Sequence, residues 1–259
     1  MSSPDPGALL AAAVEAARAA GARQREAVGG RLAVTEFHDH DVKLELDSEC
    51  QRLITGMLGE RFPEMSVLGE EEGGAPHGAT EWQWIVDPVD GTVNLYYGIP
   101  HFCVAIALQH RLRTVLAVTY DPIRDELFTA QEGSVTRLNG REVAVSRRTQ
   151  LKDALVATGF AKAKEMVEAG VERVRYFGLN ARKVRMNGCA ALDLAYVACG
   201  RLDAYLEEGT RLWDLAGGVL LVQCAGGRVK LVERVSPPLS YKIVASSGRF
   251  EVPEIFGSA

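Results

Sequence analysis

Apolar positions follow two different spacings along the chain, and the alternation of these spacings predicts its architecture. Residues 8–28 and 42–59 carry apolar side chains every three to four residues, as amphipathic helices do. Gly29 and Pro63 predict where these two helices end. Three later segments also have helical spacing, namely 162–178, 189–199 and 213–224.

Short apolar runs with the composition of strands fill most of the remaining sequence. They are predicted at 31–38, 67–68, 84–86, 102–108, 114–120, 126–130, 134–138, 155–158, 202–206, 228–232 and 242–246. Turn sequences such as Asp121-Pro122 and Asn139-Gly140 separate the runs before residue 140, which predicts an antiparallel meander. Helix pairs alternating with blocks of strands predict layered α+β packing instead of a regular βαβ repeat.

Composition is that of one globular unit. The chain has 259 residues, of which 47% are hydrophobic and 24% charged, enough for a sizeable core. We expect one unit over 1–259, with a soft division near 150 into an N-terminal α+β half (1–150) and a C-terminal α/β half (151–259).

Charge and cysteine usage narrow the classes of partner. The net charge is −5 and no block of five or six basic residues occurs, which predicts no nucleic-acid partner. No apolar run approaches the ~18 residues of a membrane span, and no secretory signal is recognisable, so no membrane partner is expected. The five scattered cysteines include no CxxC pair, which disfavours disulfide scaffolds and thiolate zinc sites and favours a reducing cytoplasm.

The segment after the apolar pair Ile85-Val86 carries the most chemical information. Two carboxylates, Asp87 and Asp90, are separated by Pro88-Val89 and followed by Gly91. Proline removes a backbone donor, and glycine permits positive φ, so the chain bends here. Two neighbouring carboxylates repel each other unless a cation lies between them, and hard oxygen ligands suit Mg²⁺.

Two further acidic segments occur far away in the sequence. Glu70-Glu71-Glu72 ends the run 66–69, and Asp214 opens the last predicted helix. Alone, the first would be a solvated turn and the second an N-cap. Together with Asp87 and Asp90, they predict three acidic segments converging on one metal site.

These segments resemble the inositol monophosphatase family, part of the lithium-sensitive, Mg²⁺-dependent sugar-phosphatase superfamily. The resemblance rests on Gly69-Glu70-Glu71, on the block from Asp87 to Asn94 (Asp-Pro-Val-Asp-Gly-Thr-Val-Asn) and on the block from Trp213 to Gly218. It extends over about residues 35–246. It implies a layered α-β-α-β-α sandwich and a homodimer.

The resemblance also implies roles for individual residues. Glu70, Asp87 and the carbonyl of Val89 resemble the ligands of a first metal ion, and Asp87, Asp90 and Asp214 resemble those of a second. The catalytic residues would be Glu70, Thr92 and Asp47, with Asp47 bonded to Thr92. The substrate contacts would be Asp90, Gly91, Thr92, Gly188, Cys189, Ala190, Glu207 and Asp214, of which Glu207 binds a sugar hydroxyl.

Phosphate monoester hydrolysis is extremely slow in water, and two metal ions suit it. We therefore predict a Mg²⁺-dependent phosphoric monoester hydrolase in which water attacks directly, Thr92 orients that water and Glu70 takes its proton. Inositol monophosphate is the leading substrate. The alternatives on the same metal core are fructose-1,6-bisphosphatase, histidinol-phosphatase and nucleotide phosphatase, and the alternative from another class is a non-catalytic regulatory or binding homologue.

Some positions depart from the family pattern. The family usually has threonines just before the aspartate matched by Asp47, whereas the run here is Lys43-Leu44-Glu45-Leu46-Asp47, with departures at Leu44 and Leu46. Val93 replaces a common second threonine. An inward-pointing Lys43 would compete with the weakest cation site. The segment 161–163 lacks the usual polar contact, which puts inositol specificity in doubt. A bisphosphate enzyme would need a basic patch, for which the candidates are Lys162, Lys164, Arg182, Lys183 and Arg185.

Overall fold

The computed structural model describes residues 4–38, 41–71, 74–160 and 164–256. Predictions for Glu72, for Lys162 and for segment 161–163 concern residues outside these ranges. The first half contains α1 (Pro6–Ala27), β1 (Val34–His38), β2 (Asp41–Leu44), α2 (Glu45–Arg61), β3 (Ser66–Gly69), β4 (Trp82–Asp90), α3 (Thr92–Tyr96), β5 (Cys103–His110), β6 (Arg113–Asp121), β7 (Glu126–Gln131), β8 (Arg137–Leu138) and β9 (Arg141–Glu142). The second half contains β10 (Leu155–Thr158), α4 (Lys164–Asn180), β11 (Lys183–Arg185), α5 (Ala190–Ala198), β12 (Ala204–Arg211), α6 (Leu212–Cys224), β13 (Arg228–Glu233) and β14 (Ser240–Ser246).

A seven-stranded sheet in the order β3-β4-β5-β6-β7-β8-β9 forms the centre of the first half. From β4 to β9, each strand pairs antiparallel with the next, so the predicted meander is confirmed. Strand β3 alone runs parallel to its neighbour β4. The carboxyl ends of β3 and β4 therefore meet at one edge of the sheet.

A five-stranded mixed sheet in the order β11-β10-β12-β14-β13 forms the second half. Strand β10 runs parallel to both β11 and β12, whereas β14 is antiparallel to β12 and β13. The two sheets share no strand. The predicted division into two halves nevertheless stays a prediction.

Helices cover both sheets in five layers, α-β-α-β-α, as predicted. Helices α1 and α2 pack on the outer face of the seven-stranded sheet, α5 and α6 lie between the two sheets, and α4 packs on the five-stranded sheet. Three apolar cores correspond to these interfaces, and the central one includes Leu192, Leu215 and Leu221 from the middle helices. The all-round apolar character of α5 and α6 follows from this position between two sheets.

Several elements differ from the sequence prediction: α3, β9 and β11 have no predicted counterpart, and two others have different bounds. The helix predicted from residue 42 begins at Glu45, because Asp41–Leu44 pairs with Val34–His38 as a hairpin. The Asp47 carboxylate accepts the Leu44 backbone N–H at 3.0 Å and so ends the strand and begins the helix. The strand predicted at 134–138 shrinks to Arg137–Leu138.

Within the described residues, the helices are too short or too polar to cross a lipid bilayer.

Candidate active site

A β-bulge positions the first pair of carboxylates. In the pairing of β4 with β5, Asp87 lies opposite Ala105 and Asp90 lies opposite Cys103, so β4 has one extra residue between them. In a regular strand, residues three apart point to opposite faces, but the extra residue brings both carboxylates to the same face. Pro88 occupies the bulge, where no ladder donor is needed.

Glycine at position 91 is required by the turn that follows. Gly91 has φ 95°, in the left-handed region, and a Cβ there would lie 3.0 Å from the His101 carbonyl oxygen. The turn leads directly into α3, whose first residue is Thr92.

Glu70 reaches the same place from the neighbouring strand. It follows β3, and its backbone N–H donates to the Val86 carbonyl of β4 at 3.2 Å, which continues the parallel pairing. Gln51 of α2 fixes the next residue, because its side-chain amide both donates to the Glu71 carbonyl and accepts the Glu71 N–H, each at 2.9 Å. The acidic loop is therefore tied to a helix at its base.

Asp214 belongs to the second half of the chain. It is the third residue of α6, and its carboxylate accepts the Arg211 N–H at 2.8 Å. Each of Glu70, Asp87 and Asp214 offers a carboxylate oxygen within 4.8 Å of the other two. Two carboxylates from the edge of the first sheet and one from a helix of the second half thus form a single cluster.

Electrostatics show the cost of this arrangement. Burial, followed by repulsion from Glu70, Asp90 and Asp214, raises the pKa of Asp87 well above its usual value. Burial raises the pKa of Asp90 to about 6, against hydrogen bonds from the α5 backbone. Burial, then repulsion from Asp90, raises the pKa of Asp214 to about 7.

A divalent cation fits this donor set. Three converging carboxylates supply hard oxygen ligands, and a bound cation would relieve the repulsion that raises their pKa values. The Val89 carbonyl lies beside them and accepts the Thr92 hydroxyl at 2.9 Å, which leaves it a second lone pair. Asp47, predicted to hold Thr92, has one carboxylate oxygen on the Leu44 N–H, and its pairing with Thr92 stays a prediction.

The segment before α5 closes the site on another side. Asp90 accepts the Ala191 N–H at 2.6 Å, and the Cys189 thiol lies 3.2 Å from the same carboxylate oxygen. Asn94 of α3 donates to the carbonyls of His101 and Asn187, at 2.8 and 2.7 Å. These contacts join the turn after β4 to the predicted substrate segment Gly188-Cys189-Ala190.

Glu207 of β12 lines the same cavity. It accepts the Tyr205 hydroxyl at 2.7 Å, and burial raises its pKa to about 7. Nearby, the fully buried Arg173 donates to the Thr158 hydroxyl and the Gly159 carbonyl, each at 3.1 Å. Its positive charge opposes part of the rise in the pKa of Glu207.

A cavity of about 290 Å³ connects these groups. Its described lining includes every predicted metal, catalytic and substrate residue except Asp47: Glu70, Asp87, Val89, Asp90, Gly91, Thr92, Gly188, Cys189, Ala190, Glu207 and Asp214. The lining also includes Asn94, Asp193 and Thr210, which the sequence analysis did not select. The roles of these residues stay predictions.

Several residues that position the site were not selected in the sequence analysis. Gln24 of α1 is fully buried and donates to the Pro88 carbonyl of the bulge at 2.7 Å. Gln51, Asn94 and Arg173 act in the same way at the other turns. A polar residue on the apolar face of a predicted helix, as Gln24 is among alanines, is a signal that could have revealed this role.

The fold and the carboxylate cluster together define a layered α+β protein with a candidate divalent-metal site. A sequence model of the inositol monophosphatase family matches residues 5–254, and the chain belongs to that family. Membership supports phosphatase chemistry and metal binding, and it specifies neither the metal nor the substrate.

Similar proteins carry two kinds of name. The chain is 40% identical to Nus factor SuhB of Pseudomonas aeruginosa, over 85% of this chain and 84% of that protein. The solved suhB extragenic suppressor protein of Bartonella henselae has a TM-score of 0.87 at 34% identity, covering 93% of this chain and 95% of the other. The inositol monophosphatase of Anabaena has a TM-score of 0.81 at 34% identity, covering 94% and 92%.

Proposed function

We propose that this protein is a Mg²⁺-dependent phosphomonoesterase whose substrate is a small polyol phosphate, with inositol monophosphate as the leading candidate. The single observation that supports it most is the convergence of Glu70, Asp87 and Asp214 within 4.8 Å at one end of a cavity. Glu70, Asp87 and the Val89 carbonyl would hold one ion, and Asp87, Asp90 and Asp214 a second. Bound Mg²⁺ supplies Lewis-acid polarisation of the ester and neutralises its charge.

The protein's own groups then orient the reactants. The Thr92 hydroxyl gives its hydrogen to the Val89 carbonyl, so its lone pairs are left to accept a hydrogen bond from the attacking water. Glu70 takes the proton of that water. Glu207 accepts a hydrogen bond from a hydroxyl of the substrate, with the backbone at Gly188 and Ala190 facing the same cavity.

The charges of the cavity favour a monophosphate over a bisphosphate. Lysine and arginine are absent from its described lining. Besides Asp87, that lining contains five acidic side chains: Glu70, Asp90, Asp193, Glu207 and Asp214. Of the basic candidates, Arg182 forms an ion pair with Asp153 and lines a separate pocket with Arg147 and Arg148. A second phosphate would therefore face carboxylates without a counter-charge, which argues against fructose 1,6-bisphosphate.

The experiment is phosphate release with Mg²⁺ from a panel containing inositol 1-phosphate, fructose 1,6-bisphosphate, histidinol phosphate and an adenosine bisphosphate. We expect the highest kcat/KM for inositol 1-phosphate and loss of that activity in Asp90→Asn. Activity that survives Asp90→Asn would exclude the metal mechanism. A preference for fructose 1,6-bisphosphate would overturn the substrate class.

A regulatory protein is the second candidate function, and the names of relatives favour it. Proteins 38–42% identical to this chain are named Nus factor SuhB, which is not the name of a phosphatase. That name is in tension with the prediction of no nucleic-acid partner, which stays a prediction, as do the homodimer and the cytoplasmic location. Absence of turnover on every phosphate, together with binding of RNA or a transcription protein, would favour this candidate.

A further inference from the structure

Two thiols lie beside the carboxylate cluster, and of these the sequence analysis selected only Cys189. Cys103 is on β5 and Cys189 immediately precedes α5, and their sulfur atoms are 3.7 Å apart. The Cys189 sulfur is also 3.2 Å from an Asp90 carboxylate oxygen. One donor atom from each of the three residues lies within 4.8 Å of the other two.

These separations match a soft metal site. In a tetrahedral zinc site, bonds of ~2.3 Å to sulfur and ~2.0 Å to oxygen place two sulfurs about 3.8 Å apart and a sulfur and an oxygen about 3.5 Å apart. The observed 3.7 and 3.2 Å are therefore close to the values that a cation would require. Only small side-chain shifts would complete the coordination.

Access and support are also present. Cys189 and Asp90 line the cavity, and Cys103 lies buried behind them, so a cation can enter from the solvent side and keep one position open to water. The Ala191 N–H already donates to the Asp90 carboxylate and would hold it in place from the outer shell. Three protein ligands with one open position are a common zinc arrangement.

We propose that a thiophilic divalent cation such as Zn²⁺ or Cd²⁺ binds between Asp90, Cys103 and Cys189. Each thiol releases its proton to water as it binds the cation, and no oxidant is involved. Mg²⁺ does not compete for the two sulfur ligands, because it prefers oxygen. The binding itself does not depend on the phosphatase activity.

The consequence for activity rests on the proposed function. Because Asp90 is proposed as a ligand of the second Mg²⁺, a cation held by the two thiols would take this carboxylate away from that ion. Zn²⁺ should then inhibit the enzyme even when Mg²⁺ is in large excess. A chelator with higher affinity for zinc than for magnesium should restore activity.

The test is a titration of the fully reduced protein with Cd²⁺, followed by the ultraviolet charge-transfer absorption of thiolate–metal bonds. The variants are Cys103→Ala, Cys103→Ser and Cys189→Ser, and the matched control is Cys50→Ala, which removes an equally buried thiol bonded to the Ala20 carbonyl in the α1–α2 interface. We expect saturation at one equivalent, an affinity weakened roughly tenfold or more in each site variant, and no change in the control. Circular dichroism verifies that each variant is folded.

The outcomes separate this proposal from the proposed function. An affinity within about twofold of wild type in both folded Cys103 variants would overturn the site. Inhibition that requires an oxidant and is reversed by a thiol reductant, not by a chelator, would indicate a disulfide and would overturn it as well. Thiolate–metal absorption that depends on both cysteines, in a protein that hydrolyses no phosphate, would uphold the site and reject only the phosphatase.

Discussion

The two ends of the cavity hold their carboxylates in different ways. At the metal end (Asp87, Asp90 and Asp214 with Glu70), three carboxylates accept backbone N–H groups, from Val89, Ala191 and Arg211. At the polyol end (Glu207 and Asp193), the carboxylates accept side-chain donors. Glu207 accepts the Tyr205 hydroxyl, and Asp193 accepts the Asn187 side-chain amide.

Under the proposed function, this difference separates the groups that hold the metal from the groups that contact the substrate. A carboxylate that accepts a backbone N–H depends on the path of the chain, which is local for Asp87 and Asp214 and involves the distant helix α5 for Asp90. A carboxylate that accepts a side-chain donor depends on the identity of that residue, here Tyr205 two positions before Glu207 and Asn187 six positions before Asp193. At the metal end, substitution of a donor residue keeps the backbone N–H, whereas substitution of Tyr205 or Asn187 removes a donor at the polyol end.

Among the substitutions, we expect the largest loss of activity at the metal end. Asp87→Asn should lower kcat/KM by at least ~100-fold, since loss of an outer-shell partner alone costs 10–100-fold at metal sites. The pKa of Asp87 is raised in the folded protein, so its ionised form destabilises the metal-free fold, and the asparagine should raise the metal-free Tm. The stabilisation by Mg²⁺ should disappear.

Thermal unfolding with and without Mg²⁺ measures both parts of this prediction. Asp153→Asn, a surface carboxylate paired with Arg182, is the control and should retain the Mg²⁺ shift. An Asp87→Asn protein that Mg²⁺ still stabilises as strongly as wild type would contradict the assignment of this residue.

A second prediction concerns the buried hydrogen bonds of Arg173 beside the polyol end and their contribution to stability. Arg173→Met removes a fully buried guanidinium and leaves the Thr158 hydroxyl and the carbonyls of Gly159 and Ile255 without their donors. We expect the free energy of unfolding to fall by about 3 kcal/mol, measured by urea denaturation.

Arg175→Met on the same helix is the matched control, because Arg175 is exposed and forms only a surface ion pair with Glu172. It should change the free energy of unfolding by less than ~0.5 kcal/mol. Equal losses in the two variants would mean that the buried hydrogen bonds of Arg173 do not stabilise this end.

A smaller effect separates the two ends directly. Glu207→Gln should raise KM for inositol 1-phosphate roughly tenfold, because one charged hydrogen bond to the substrate is lost, and should leave the Mg²⁺ dependence unchanged. Glu208→Gln is the control, since the neighbouring carboxylate pairs with Lys242 on the opposite face of the strand. A changed Mg²⁺ requirement in Glu207→Gln would mean that the two ends are not separate.

Glu207→Gln should also change how the stability of the protein depends on pH. The pKa of Glu207 rises from 4.5 to about 7 on folding, so the folded protein binds this proton more tightly than the unfolded chain. The stabilisation of the fold by this bound proton is fully present below pH ~4.5 and is lost as the pH rises to about 7. With saturating Mg²⁺, wild type should therefore lose more Tm than Glu207→Gln between pH 5 and 8, and parallel curves would contradict the pKa shift.

The smallest effect tests the departure at Lys43. Lys43 is half-buried on β2, and its carbonyl accepts the Thr35 hydroxyl. If its ammonium competes with the weakest cation site, Lys43→Ala should lower the Mg²⁺ concentration required for half-maximal activity about twofold. An unchanged Mg²⁺ dependence of the rate would remove this hypothesis.

Much of the fold was predictable because, in most segments, the local sequence pattern agrees with the structure that the whole fold requires. The helices of 6–27, 164–180 and 212–224 and most strands of the meander are found near their predicted positions, since spacing and turn residues agree there. Prediction was wrong where tertiary pairing overrides local pattern. Residues 41–44 have helical spacing but pair with β1, and the charged strand Lys183–Arg185 exists only because β10 offers an edge.

By itself, the sequence determined the bent, acidic end of β4 and the carboxylate at the start of α6, because proline, glycine and the capping geometry act over a few residues. Only the tertiary structure decided which distant groups meet there. The Gln24 amide on the bulge, the contact of Cys103 with Cys189 and the arginine beneath Gly159 join segments far apart in the chain. Such contacts depend on the packing of whole layers, and no local pattern encodes them.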